Sequence, residues 1–119
     1  MFTCQNKGDY LFAEVNGPYS LGEFISAVHE VADHCRMENL NKAFVDMRHM
    51  EGDPSILERH PVGLEIAKVW GSCIKVAVIA RKETISQMGE NTAVNRGAKL
   101  MVTPDENPAL EWLGLRKET

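Results

Sequence analysis

Asp46, Arg48 and His49 have the best claim to chemistry in this sequence. They follow Ala43-Phe44-Val45, an apolar run that predicts a buried strand, so Asp46 falls near that strand's carboxyl end. Two residues apart on extended backbone, Asp46 and Arg48 share a face and can form an ion pair. In a parallel sheet the carboxyl ends of strands are where ligands bind, although such a pair serves equally well to order a loop. The loop runs on through Gly52-Asp53-Pro54-Ser55 and places the Ser55 hydroxyl at or near a helix start. A phosphate at Ser55 would be favoured by the free N–H groups and positive end of that helix. A second polar cluster comprises Glu90, Asn91, Asn95 and Arg96. Glu90 and Asn95 are five apart, so only part of it shares a helix face, and Arg96 also suits a helix C-terminus.

Other constellations lack the spacing their chemistry needs. His29-Glu30 followed by His34 looks like a zinc-protease motif, but that motif requires histidines four apart. A spacing of five turns the two rings about 140° away from each other on a helix. Cys4, Cys35 and Cys73 are widely separated, form no CxxC pair and are odd in number, so they read as reduced thiols packed as small apolar groups. There is no glycine-rich phosphate loop, nucleophile elbow or paired-carboxylate site. The expectation is a protein with no catalytic residues, no metal and no cofactor.

The composition narrows the partners. With 119 residues the chain suits one domain spanning 1–119, and 44 % hydrophobic with 25 % charged residues is an ordinary globular balance. Thirteen basic against seventeen acidic residues, a net charge of −4, disfavours nucleic acid as a partner. The longest apolar run is far short of the ~20 residues of a membrane span. Met1 to Asp9 has no apolar segment after a basic start, so no secretory signal is expected and the cytoplasm is the expected location.

The elements that must position these residues are legible in outline. Ile74 to Ala80 carries one charge and four β-branched side chains, which predicts a central strand covered on both faces. Phe2 to Gln5 and Tyr10 to Val15 predict a hairpin across Asn6-Lys7-Gly8-Asp9. Ser20 and Glu23 form a capping pattern for a helix over Leu21 to Met37, with Leu21, Phe24, Ile25, Val28, Ala32 and Cys35 facing inward. Pro54 and Pro61 predict a short turn capped by Asp53, then a separate helix from Pro61 to Trp70 with Leu64, Ala67 and one of Ile66 or Trp70 inward. A third helix is expected with Ile85, Met88, Thr92 and Ala93 inside and Gly97 as its stop. Leu100 to Val102 is the last strand, and Asn107 is expected to cap a final helix ending at Gly114, with a frayed tail from Leu115. Strands alternating with helices predict an α/β fold. It is a single-layer, mostly parallel sheet of four to five strands with an antiparallel N-terminal edge and about four crossover helices.

Five stretches in this order resemble the SpoIIAA-like group, relatives of the sulfate-transporter and anti-sigma-factor-antagonist (STAS) domains, which share a fold with lipid-binding CRAL-TRIO domains. They are Glu14-Val15-Asn16-Gly17, Val45-Asp46-Met47-Arg48, Glu58 to Gly63, Glu90 with Ala93, Asn95, Arg96 and Gly97, and Ala109 to Leu113, together covering about residues 10 to 114. The resemblance implies the same strand and helix order. Anti-sigma-factor antagonists are switched by phosphorylation of a serine at the start of the second helix, in an Asp-Ser pattern followed by glycine. The corresponding loop here reads Asp53-Pro54-Ser55-Ile56, with Pro54 inserted and no glycine after Ser55. The lipid-carrier relatives imply an apolar cavity between sheet and helices.

Together these readings predict a non-catalytic regulatory or binding module. It docks a protein partner or a small apolar or amphipathic ligand near Asp46, Arg48, His49, Asp53 and Ser55, with Glu90, Asn95 and Arg96 alongside. The alternative is a small-ligand or lipid carrier, or a small enzyme, using a polar cluster around Asp46, Arg48 and Glu90. A third reading is a chiefly structural subunit that self-associates, which Leu57, Trp70 or Met101 exposed in one patch would mark, and a homodimer fits the first or the third reading.

Overall fold

The computed structural model describes residues 2–52, 55–82 and 93–115. Strand β1 (Phe2–Asn6) pairs antiparallel with β2 (Leu11–Val15), with Phe2 opposite Val15 and Cys4 opposite Ala13. The connecting turn closes through Lys7 N–H to the Tyr10 carbonyl (2.9 Å). Parallel pairing then carries the sheet from β2 to β4 (Lys42–Asp46), β6 (Lys75–Ile79) and β7 (Lys99–Thr103). The spatial order is β1-β2-β4-β6-β7, as expected for a mixed α/β sheet with one antiparallel edge. The Ile74 to Ala80 segment is interior and buried on both faces, but the middle place in the sheet belongs to β4.

Because successive parallel strands are added in one direction, right-handed crossovers send their helices to one face. Helix α1 (Leu21–Met37) packs there over Leu11, Ala13, Val15, Ala43 and Val45. Its first turn is closed by Ser20, whose hydroxyl accepts from Glu23 N–H at 3.2 Å. Its C-terminus is closed by Asn39, at φ 59°, with Leu40 N–H reaching back to the Cys35 carbonyl (2.8 Å). The inward stripe is Phe24, Ala27, Val28, Val31, Ala32 and Cys35, whereas Leu21 stands exposed.

Pro61 does not break the second helix, contrary to expectation. Helix α2 runs continuously from Ile56 to Trp70 with Pro61 inside it. Two anchors outweigh the lost N–H and the crowding at the Leu57 carbonyl. Ser55 is the N-cap in a complete capping box with Glu58, in place of the expected Asp53, which lies outside the described residues. Downstream, Val62, Ile66 and Trp70 are buried at four-residue intervals, and Trp70 Nε1 donates to the Val28 carbonyl of α1 at 2.8 Å. That stripe replaces the expected Leu64 and Ala67, both only half-buried. With Trp70 inside and Met101 half-buried, no patch joins them to Leu57.

The expected third helix lies mostly outside the described residues; 93–95 are helical, and Gly97 follows at φ 100°, as a left-handed stop requires. Helix α3 (Glu106–Trp112) covers the opposite face of the sheet, where Phe44, Ala77, Ile79, Ala109 and Leu113 form a second core. Asp105 is its N-cap position rather than Asn107; Leu115 packs against this second core, and the rest of the expected frayed tail lies outside the described residues. A two-stranded parallel ladder between β3 (Gly17–Pro18) and β5 (Met50–Glu51) was not signalled by the sequence. It ties the segment after β2 to the loop after β4.

Candidate functional site

Asp46 ends β4 with its side chain on the α3 side of the sheet, two residues beyond Phe44, and only 4 % of it is exposed. A carboxylate buried that far requires a partner, and Arg48 supplies three donors. Its main-chain N–H (3.0 Å) and Nε (3.0 Å) donate to Oδ1, and Nη2 (2.8 Å) donates to Oδ2. This is the two-pronged fork of arginine on a carboxylate. Burial alone pushes Asp46 up, but the Arg48 hydrogen bonds and charge, with His49 nearby, outweigh it and hold the carboxyl below its ordinary value. Arg48 is correspondingly raised, chiefly by its hydrogen bond to Asp46, and its Nη2 also lies 3.8 Å from Glu106 at the start of α3.

Glu14 is the cross-strand neighbour of Asp46 on β2. Glu14, Asp46 and His49 each offer a ligand atom, all within 4.8 Å of one another, which is a donor set for a divalent cation. Arg48 already donates to both Asp46 oxygens, however, so a cation there would sit against a guanidinium, which charge repulsion disfavours. The cluster works as it stands as an arginine set among three carboxylates, Asp46, Glu106 and Glu14.

Beside it, at the same carboxyl edge, α2 begins. The Ser55 hydroxyl accepts from Glu58 N–H (3.3 Å), and Glu58 Oε1 accepts from Ser55 N–H (3.0 Å) and from the Tyr19 hydroxyl (3.0 Å). The Ser55 main-chain N–H and then the Tyr19 hydroxyl hold the Glu58 carboxyl below its ordinary value. Ser55 is exposed, and Leu57 in the first turn of the helix is 88 % exposed. Leu21, at the start of α1 on the same edge, is 41 % exposed. Arg81, just past β6, donates to the Met50 carbonyl (3.2 Å) and braces the loop.

The expected site residues are thus partly gathered. Asp46, Arg48, His49 and Ser55 share the carboxyl edge; Asp53 and Glu90 lie outside the described residues. Asn95 and Arg96 precede β7 and so sit at its amino edge, the other end of the sheet, because β7 runs parallel to β4. The sequence reading missed Glu58 and Tyr19, although Ser55-x-x-Glu58 is itself a capping-box pattern. It also missed Glu106, which nothing local marks.

A cavity of about 160 Å³ lies between β1, the end of β2 and α1, lined by Phe2, Tyr19, Phe24, Glu23, Glu30 and Met50 among others. It does not reach Arg48, and it is well below the ~300 Å³ at which ligand pockets begin.

No family model matches the chain, and no curated protein matches it. Among solved structures, an anti-sigma factor antagonist from Mycobacterium paratuberculosis superposes with a TM-score of 0.60 at 16 % identity, over 96 % of this chain and 93 % of that one. The fold is that of the antagonist. The expected SpoIIAA/STAS-like architecture, a mostly parallel α/β sheet with an antiparallel β1-β2 edge, is therefore borne out. Among the described residues, no helix is long and apolar enough to cross a membrane.

Proposed function

We propose that this protein is a non-catalytic regulatory module that docks a protein partner on the carboxyl edge of its sheet, at the start of α2. The likeness of the whole fold to an anti-sigma factor antagonist carries this reading, since the likeness spans nearly the full length of both chains. Leu57 gives the surface its anchor, a leucine held out from the first turn of a capped helix and 88 % exposed. Contiguous apolar patches mark interaction sites, and Leu21 at the start of α1 is the second exposed apolar residue on this edge. The Asp46–Arg48 fork beside it fixes the loop that forms the neighbouring part of the surface, and His49 stands exposed on that loop. The cytoplasm is the compartment this reading implies.

Ser55 is the residue at which such docking would be switched. A phosphate on its hydroxyl would meet helix N–H groups favourably, but it would also meet the Glu58 carboxylate that now completes the cap. Two anions on one helix terminus would force Glu58 away from Ser55 N–H and from Tyr19, remodelling the surface around Leu57. The alternative of a small-ligand or lipid carrier is not favoured by the cavity among the described residues, which is small for an acyl chain and does not reach Arg48.

A photo-crosslinking side chain placed at position 57, and in parallel at Met37 near the end of α1, tests the reading in the cell of origin. Met37 is 80 % exposed and serves as the control. A discrete heavier species from position 57, absent from 37 and suppressed by Ser55→Glu, is expected. Equal capture at both positions, or none at 57, would refute it.

A further inference from the structure

Cys4 and Cys35 are thirty-one positions apart in sequence, yet Cys4 packs against the same core cluster in which Cys35 is buried. Phe2, Cys4 and Asn6 alternate onto the helix-covered face of the sheet, because Cys4 is opposite Ala13, a buried member of that core. Phe2 stacks on His34 with ring centroids 6.4 Å apart, and Asn6 Nδ2 donates to Glu38 Oε1 at 3.0 Å. Cys4 therefore faces the turn of α1 between His34 and Glu38, and Cys35 is the fully buried residue of that turn. Cys4 itself is half-buried and packs against the core cluster that contains Cys35. Cys73 is exposed and belongs to neither group.

We propose that Cys4 and Cys35 are a paired modification site that closes to a disulfide by exchange with a small-molecule disulfide such as oxidised glutathione, fastening the edge strand β1 to the end of α1. The Cys4 thiolate attacks one glutathione sulfur. The S–S bond breaks, and the departing glutathione thiolate carries off the electron pair and takes up a proton. Cys35, its proton released to solvent, then attacks the Cys4 sulfur of the mixed disulfide, and the second glutathione leaves in the same way. Two protein thiols are oxidised and one disulfide is reduced to two thiols.

The environment makes this exchange slow at neutral pH. Burial pushes Cys35 up to about 11, with Glu38 and Cys4 adding to the shift; Cys4 is raised as well, by burial and then by Glu38 and Glu30. Both thiols are therefore protonated near pH 7, and the pair stays open in a reducing compartment. Among the described residues, β1 has a sheet neighbour only on the β2 side, so the crosslink would remove the fraying freedom of that edge.

The test uses the full chain carrying Cys73→Ser, incubated with oxidised glutathione in mildly alkaline buffer without denaturant, then alkylated and weighed intact. The expected product is lighter than the reduced protein by two hydrogens, resists alkylation at both cysteines and yields a Cys4–Cys35 crosslinked peptide. Its unfolding midpoint should be higher and should return on reduction. A Cys35→Ala, Cys73→Ser protein should instead accumulate one glutathione on Cys4. A stable glutathione adduct on Cys4 with Cys35 still alkylatable overturns the proposal. So does closure only under denaturing conditions, or a failure of either protein to react.

Discussion

Replacing Asp46 by asparagine tests the account at its most buried charge. Asparagine keeps an acceptor in the Oδ1 position for Arg48 N–H and Nε, but puts an NH₂ where Oδ2 now receives Nη2 at 2.8 Å. One charge-assisted hydrogen bond is lost, a change worth ~1.5–3 kcal/mol. Arg48 is 38 % exposed, so water can satisfy the released donor and the lower half of that range applies, about 2 kcal/mol. For a domain of this size that corresponds to a fall in Tm of roughly 6–12 °C. The pH dependence follows from the lowered folded-state pKa. The carboxylate's contribution is complete above its unfolded value of about 4 and is lost as pH falls through the lower folded value. Thermal unfolding of both proteins by circular dichroism, at neutral pH and stepwise below pH 4, should show a gap that narrows on acidification. A gap below ~0.5 kcal/mol at neutral pH, or one that widens with acid, would refute the reasoning.

Three further substitutions probe the helices. Pro61→Ala should stabilise the protein by on the order of 1 kcal/mol in a denaturant titration, because it restores an N–H and relieves crowding inside α2. Trp70→Phe should lower stability by about 2 kcal/mol in the same assay, through the lost bond to the Val28 carbonyl and the space left between α1 and α2. Ser55→Ala should cost about 1 kcal/mol by removing the cap of α2, while Ser55→Asp, which keeps an acceptor there, should cost less than half of that.

The sheet was legible because each interior strand is a short apolar run with turn signals around it, and β6 shows this most clearly: Val76 and Val78 serve one core, Ala77 and Ile79 the other. Helix α1 was legible from Ser20 and its stripe, with an error at Leu21, the first residue of the helix, which is 41 % exposed. What sequence could not yield was decided by contacts distant in the chain. Pro61 argued locally for a break, but Trp70 bonding to Val28, forty-two residues away, and Ile66 beneath it hold the helix through the proline. The β3-β5 ladder is two residues long on each side and leaves no periodicity to read. At the site, Asp46 and Arg48 were found because they are only two residues apart, although the extended backbone expected between them is a turn: β4 ends at Asp46, and Arg48 N–H closes back onto the Asp46 carboxylate. Glu106 joins them only because α3 folds back over the second face, and Asn95 and Arg96 fell away because they precede their strand rather than follow it.

Native mass spectrometry of the protein gently purified from its own cells tests the central claim most directly. The account predicts an assembly with a second polypeptide in defined ratio, lost in Leu57→Asp while the variant's own unfolding midpoint is unchanged, and with no small molecule retained on the released chain. A stoichiometric small molecule that survives Leu57→Asp and disappears in Arg48→Gln would contradict it and make the protein a ligand carrier.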